Sequence, residues 1–176
     1  MLQQKIKRLL MMLKKNGGQA ILTSKEHKTG TDRIYEVVKK LGRKDIDLVM
    51  NLQGDEPMIN ITDVVNLNRQ MIENKSKLGT LASDILDKKI HKNENIVKVI
   101  TKKNLSEFKF PEAISFKRKI TEEKHNIYHH LGIYCYDVET LKNFVSFKQS
   151  QNKIKNKLEQ IRALDNNKKN QVAYTK

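Results

Sequence analysis

Apolar positions along this chain alternate between helical and strand spacing, and the order of those periods predicts an α/β fold. Residues 2–15 place Ile6, Leu9, Leu10 and Leu13 on one face of a helix, and Gly17-Gly18 provides its stop. Residues 19–23 read as a short strand. A polar loop over 24–30 leads into a helix over 33–41, with Thr31 or Asp32 as its N-cap and Gly42 as its close. The mostly apolar run 46–52 is short enough to be one buried strand. The next helix opens at Ile61 or Thr62 and carries Val64, Val65, Leu67 and Met71 at its apolar positions. Strands follow over 79–83, 96–101 and 113–116, the middle one after a polar loop at 88–95. Residues 131–136 form a further strand rich in aromatic and branched side chains. Helices over 138–145 and 155–164 and a terminal strand over 171–174 complete the chain.

Helix alternating with strand predicts a three-layer α/β domain on a mainly parallel sheet. The strands between residues 79 and 116 lack intervening helices, so that part of the sheet is expected to be mixed or antiparallel. At 176 residues the chain suits one domain with a real core. No apolar run approaches the roughly 18 to 20 residues that span a bilayer, which excludes a membrane partner of that kind. The start of the chain reads as an amphipathic helix and not as a signal peptide. The single cysteine, Cys135, excludes an internal disulfide framework and fits a reducing compartment, so a cytoplasmic location is expected.

A net charge of +15 raises the question of nucleic acid. The basic residues are spread along almost the whole chain, aromatics are only 6% and tryptophan is absent, so a base-stacking surface has little to work with. A solvated lysine-rich surface is the better reading. It still favours anionic ligands by steering.

Candidate chemistry sits in four segments. After the apolar run, Asn51-Leu52-Gln53-Gly54-Asp55-Glu56-Pro57 puts carboxylates at a strand end, where open α/β sheets bind ligands. A hard cation, and through it a nucleotide phosphate, suits such a carboxylate. Solvated acids in a plain turn are the alternative there. In the loop His27-Lys28-Thr29-Gly30-Thr31-Asp32-Arg33, backbone N–H groups and the Thr29 hydroxyl could hold an anion or a base edge, or simply cap a helix. His125, His129 and His130 invite a zinc reading, but no fourth ligand stands at a recognisable spacing. Neighbours on a strand also point to opposite faces. In Lys157-Leu158-Glu159-Gln160-Ile161-Arg162, Glu159 and Gln160 lie off the Leu158/Ile161 core face, which alone reads as a solvated helix face.

Taken in order, the run 23–33, Asn51–Pro57, His130-Leu131-Gly132-Ile133-Tyr134-Cys135-Tyr136 and Leu158-Glu159-Gln160-Ile161-Arg162 resembles the 3-deoxy-manno-octulosonate (Kdo) cytidylyltransferases, the CMP-Kdo synthetases of lipopolysaccharide biosynthesis. The resemblance covers the chain from about residue 5 to 174. It implies one domain over 1–176 of the nucleotide-diphospho-sugar transferase type. It also implies an inserted, more antiparallel region over about 79–135 through which family members form homodimers. The implied reaction joins CTP and Kdo into CMP-Kdo and pyrophosphate with Mg2+, the anomeric hydroxyl attacking the α-phosphorus. By the same resemblance Asp55 is the catalytic metal ligand and Gln53 lies where nucleotide and sugar meet. Thr29, Gly30 and Arg33 bind the nucleotide, with Thr29 in place of the usual serine. Arg118 holds the sugar carboxylate, while His130, Tyr134, Glu159 and Gln160 bind its hydroxyls.

The sequence also departs from the family pattern. Nothing matches the Ile-Pro-Ala-Arg-like loop that grips the triphosphate, or the Val-Asp-Thr-Pro-Glu-like turn with a second metal aspartate. The chain therefore reads as truncated at both ends, and weak or absent activity is expected of it. Lys117 replaces a serine beside Arg118, and Thr121-Glu122 stands where an Ile-Pro pair is usual. A non-catalytic domain that binds a sugar or a polyanion is the alternative.

Overall fold

The computed structural model of the protein describes residues 2–27, 29–52, 59–106, 109–121, 125–147, 158 and 160–176. The chain divides into two compact units, Met1–Gly42 and Arg43–Lys176.

The first unit holds two helices. Helix α1 (Leu2–Lys15) places Lys14 and Lys15 in its last turn, where cations complement the helix dipole. It closes when the Gly18 N–H returns to the Leu13 carbonyl at 2.8 Å, with Gly17 at φ +77°. Helix α2 (Gly30–Leu41) is capped by Thr29, whose hydroxyl accepts the Asp32 N–H at 3.2 Å. The cap is therefore neither Thr31 nor Asp32. Thr31 is buried inside the first turn, and only Thr29 has the extended backbone that an N-cap needs. Gly42 ends α2 in the left-handed conformation, φ +60°.

The expected strand over 19–23 does not form. No strand among the described residues pairs with it, and an extended segment without a partner leaves its amides to other groups. Side chains of α2 hold part of it instead. The Arg33 Nη1 group donates to the Thr23 hydroxyl (3.2 Å) and the Ser24 carbonyl (2.8 Å), and Lys40 donates to the Leu22 carbonyl at 2.7 Å.

The second unit is built on a sheet. Its elements are β1 (Leu48–Asn51), α3 (Ile61–Glu73), β2 (Leu78–Ser83), β3 (Lys98–Thr101), β4 (Ala113–Lys117), β5 (Ile127–Asp137), α4 (Val138–Ser146), α5 (Ile161–Asp165) and β6 (Gln171–Thr175). A 3₁₀ turn, Lys88–Lys92, fills the predicted polar loop. Of the helix expected over 155–164, residues 155–157 and 159 lie outside the described residues.

The strand order is β4-β3-β5-β2-β6, with β1 also paired to β5. Of the hydrogen-bonded strand pairs among the described residues, only β2/β6 is parallel; β1/β5, β2/β5, β3/β5 and β3/β4 are antiparallel. The expectation of a mainly parallel sheet is thus corrected. Helical crossovers do join parallel strands, since β1 and β2 both run against β5 with α3 between them in the chain. The alternation of periods showed those crossovers. It could not show that β5, more than 40 residues later, inserts between β1 and β2 with the opposite sense.

Each sheet face has its own core. On one, Leu67 and Met71 of α3 pack with Leu81, Ile133, Cys135 and Ala173. On the other, Ala82, Val99, Phe116, Tyr128 and Val172 pack with Leu158 and, less deeply, Ile161 of α5. Alternation along the strands sends successive residues to the two sides. Burial pushes the Cys135 thiol up to about 12, so it packs as an inert core group.

Gly79 sets how closely α3 approaches the sheet. A Cβ there would lie 2.7 Å from Met71 Sδ, 2.8 Å from Phe110 Cζ and 3.2 Å from Leu67 Cδ1. Gly79→Val is therefore expected to destabilise the protein by about 1–3 kcal/mol through overpacking. Urea unfolding would read this as a lower midpoint at constant slope. An unchanged midpoint would mean that α3 shifts away without loss.

Candidate functional site

In the first unit the loop before α2 is held by a network centred on Glu36. Its carboxylate accepts the Ser24 N–H (2.9 Å), pairs with Lys40 (2.7 Å) and contacts His27 Nε2. The Lys40 bond, then the Ser24 N–H and His27, hold its pKa down to about 2. Thr29, Gly30 and Arg33 sit on this frame. The Thr29 oxygen accepts the cap bond, Gly30 is exposed at the first helical position, and Arg33 ties down Thr23 and Ser24. Lys28 lies outside the described residues.

In the second unit β1 delivers the chain to the acidic segment. Gln53, Gly54, Asp55 and Glu56 lie outside the described residues, so the candidate metal ligand and nucleotide contact have no described geometry. Asn51, the last residue of β1, is described. It is buried, its amide nitrogen has no hydrogen-bond partner among the described residues, and its register partner on β5 is Tyr134. Tyr134 in turn pairs with Thr80 of β2. Asn51, Tyr134 and Thr80 therefore form one polar row across three strands, on the face opposite α3. Asn51 enters the sequence reading of the site only as the first residue of the 51–57 segment, with no role of its own, and Thr80 does not enter it at all. The strand register that aligns them with Tyr134 is not visible in local sequence.

His130 joins this row. Its Nε2 lies 2.9 Å from Thr80 Oγ1 and 3.2 Å from the Tyr134 hydroxyl, and the Phe116 ring meets it edge-on at 5.0 Å between centroids. Burial, and then repulsion from His129, push its pKa down from 6.5 to about 3, so the imidazole is neutral at physiological pH. Between His130 and Tyr134, Gly132 carries no side chain, and a Cβ there would meet nothing within 4 Å. Two neutral hydrogen-bonding groups thus flank an open position. That arrangement suits hydroxyls and not a charge.

Arg118 follows β4. Its Nη1 donates to the Glu94 carbonyl at 2.9 Å. Its own carbonyl accepts the ammonium of Lys98, which also donates to the carbonyls of Asn93 (2.7 Å) and Ile96 (2.7 Å). Lys98 is fully buried and its three donors meet three carbonyls; burial, and then Arg118, lower its pKa. It was invisible as a structural residue in a chain where lysine reads as surface. The register runs Lys117–Lys98–His129 across β4, β3 and β5, so Arg118 leaves the sheet two strands from His129.

Gln160 is buried ahead of α5, and its neighbour Leu158 packs in the same core as Phe116. Glu159 lies outside the described residues. The structure therefore brings His130 and Tyr134 together and sets the Gln160 segment on their face of the sheet. Thr29, Gly30 and Arg33 belong to the other unit. Among the described residues no three His, Cys, Asp or Glu side chains assemble into a metal-binding group. His129 and His130 do project to opposite faces.

Comparison with known proteins supplies the wider frame. A family model described as cytidylyltransferase matches residues 5–174. The 3-deoxy-manno-octulosonate cytidylyltransferase of Thermodesulfovibrio yellowstonii is 40% identical, over 96% of this chain and 70% of its own length. Its counterpart in Bartonella tribocorum is 36% identical, over 86% and 62%. The chain thus spans between three fifths and about 70% of the length of such relatives. Among solved structures, CMP:2-keto-3-deoxy-manno-octonic acid synthetase complexed with CTP superposes with a TM-score of 0.82 at 29% identity, over 96% of this chain and 68% of that one. The 4-diphosphocytidyl-2C-methyl-D-erythritol synthase of Anaerococcus prevotii shares the fold, with a TM-score of 0.57 at 14% identity.

Proposed function

The chain belongs to the cytidylyltransferase family, and from that premise we propose that it transfers a cytidylyl group from CTP to Kdo. The anomeric hydroxyl of the sugar attacks the α-phosphorus, pyrophosphate leaves, and CMP-Kdo forms. The observation that carries this reading is the neutral pair His130 and Tyr134 beside the open position at Gly132. In a family that transfers cytidylyl groups, uncharged donors and acceptors on one sheet face fit a polyol acceptor.

Within the proposal, Thr29, Gly30 and Arg33 bind the nucleotide and Gln53 stands between nucleotide and sugar. Arg118 would take the sugar carboxylate, since a planar guanidinium matches a carboxylate in two parallel bonds. His130, Tyr134, Glu159 and Gln160 orient the hydroxyls, so that the attacking oxygen is held in line. Mg2+, with Asp55 as one ligand, would supply charge neutralisation on the phosphates. The protein would work in the cytoplasm as a homodimer. No helix among the described residues is long and apolar enough to cross a membrane. The non-catalytic alternative, a sugar- or polyanion-binding domain, is not favoured by family membership.

The test is pyrophosphate release with CTP, Kdo and magnesium. Release is expected to require all three, to stop with a chelator, and to fall strongly when UTP or ATP replaces CTP. A wild-type chain that releases no pyrophosphate under these conditions sinks catalysis by this polypeptide. Release without Kdo sinks the choice of acceptor.

A further inference from the structure

We infer that Thr80 is a positioning residue for the sugar pocket, fixing the tautomer of His130 and the spacing of His130 from Tyr134 through a bulge in β5. The inference rests on the reading of His130 and Tyr134 as sugar-binding groups.

The ladder between β2 and β5 is interrupted at this point. Thr80 pairs with Tyr134, but the next residue, Leu81, pairs with Leu131, so Gly132 and Ile133 have no counterpart on β2. Bulges of this kind re-aim side chains and leave backbone groups outside the ladder. The Thr80 side chain takes over. It is fully buried, and its hydroxyl donates to the Ile133 carbonyl at 2.6 Å, with the Leu131 carbonyl at 3.3 Å.

A threonine hydroxyl has one proton. With that proton on the Ile133 carbonyl, Thr80 Oγ1 can only accept from His130 Nε2, 2.9 Å away. His130 is neutral, so one ring nitrogen donates and the other accepts. Nε2 must then carry the hydrogen, and Nδ1 is the acceptor. The Tyr134 hydroxyl, 3.2 Å from the same Nε2, cannot donate to it and turns its proton elsewhere. One buried hydroxyl therefore sets the donor and acceptor pattern that the His130–Tyr134 pair shows a ligand.

The direct measurement is 15N NMR of the His130 ring in the full chain, with equilibrium binding of Kdo and of CTP measured separately. Wild-type His130 is expected as the Nε2–H form; finding the Nδ1–H form overturns the inference without any variant. Thr80→Val keeps the shape but removes the hydroxyl. Tyr134 can then donate to Nε2, so the Nδ1–H fraction should rise. The Kdo dissociation constant should increase about tenfold, the loss of one buried hydrogen bond, while CTP binding holds. Thr80→Ser, which retains the hydroxyl, should restore both readings; a purely packing role would not be rescued in this way. A Thr80→Val chain with unchanged tautomer or unchanged Kdo affinity overturns the inference. His130→Gln separates the two claims. If it weakens Kdo binding while Thr80→Val does not, the sugar reading stands and the positioning role falls. If it leaves Kdo binding intact, the sugar reading itself falls.

Discussion

Arg162→Ala is expected to destabilise the protein by about 3–5 kcal/mol, the sum of lost packing and lost hydrogen bonds to a charged donor. Arg162 is buried, reaching from α5 to the end of α4. There its Nε donates to the Phe147 carbonyl at 3.0 Å, and its Nη2 donates to the carbonyls of Val145 (2.9 Å) and Phe147. The last carbonyls of a helix have no partner within the helix, and their partial negative charge favours a cation. The guanidinium also lies 5.3 Å from the centre of the Phe144 ring, which adds a cation–π attraction. Truncation removes all of this at once and strands two carbonyls. Arg162→Lys should recover only part of the loss, because a single ammonium cannot reproduce the planar fork. Urea unfolding decides the matter. A change below about 1 kcal/mol for Arg162→Ala would show that water replaces the guanidinium without penalty. A loss of the expected size is a large share of the 5–15 kcal/mol typical of a whole domain.

The second large effect is on acid stability. His130 titrates near 6.5 when unfolded and at about 3 in the folded protein. Between those values the unfolded chain binds a proton that the folded one refuses, so stability falls as the pH drops. The full contribution is present above about pH 6.5. Below it the loss is about 1.4 kcal/mol per pH unit, or about 2 kcal/mol by pH 5, and it stops growing near pH 3. Glu36 acts in a lower window. Its folded pKa is about 2, so its contribution is complete above its ordinary value of 4.5 and is lost as the pH falls towards 2. The interval from pH 6.5 to 5 therefore isolates the histidine. Wild type and His130→Gln, unfolded in urea across that interval, should converge by about the stated amount. Parallel profiles would mean that His130 takes up its proton in the folded state at an ordinary pH.

These two residues also mark where reading the sequence stops. Locally coded features were legible. Helix α1 with its Gly17-Gly18 stop, Gly42 at the end of α2, and α4 after Asp137 all depend on residues within one turn of each other. The N-cap of α2 lies two or three positions before the expected Thr31 or Asp32, because Thr29, Thr31 and Asp32 are all good caps and only backbone conformation separates them. The strand expected around Ile21 and Leu22 failed because strands need partners, and partners are not a local property. Nothing in the local sequence singles out Arg162 or Lys98 as buried, since their burial depends on carbonyls gathered from distant loops. Of the candidate site, family-like motifs pointed to His130 and Tyr134, which the fold does place side by side. Thr80 and Asn51 entered only through the register of β2 and β1 on β5.

That register has a consequence for how the chain is made. Strand β5 is the partner of β1, β2 and β3 alike, yet it lies at residues 127–137. During synthesis from the N-terminus, β1 and β2 emerge long before anything they can pair with, and only β3 and β4 can meet each other early. The sheet assembles when β5 arrives and is completed by β6, which must find β2 some 90 residues back. Such distant pairing slows folding and leaves apolar strand edges open to other chains in the meantime. A nascent chain stopped before residue 127 should therefore be a client for chaperones, whereas one that has released β5 and β6 can close its own sheet.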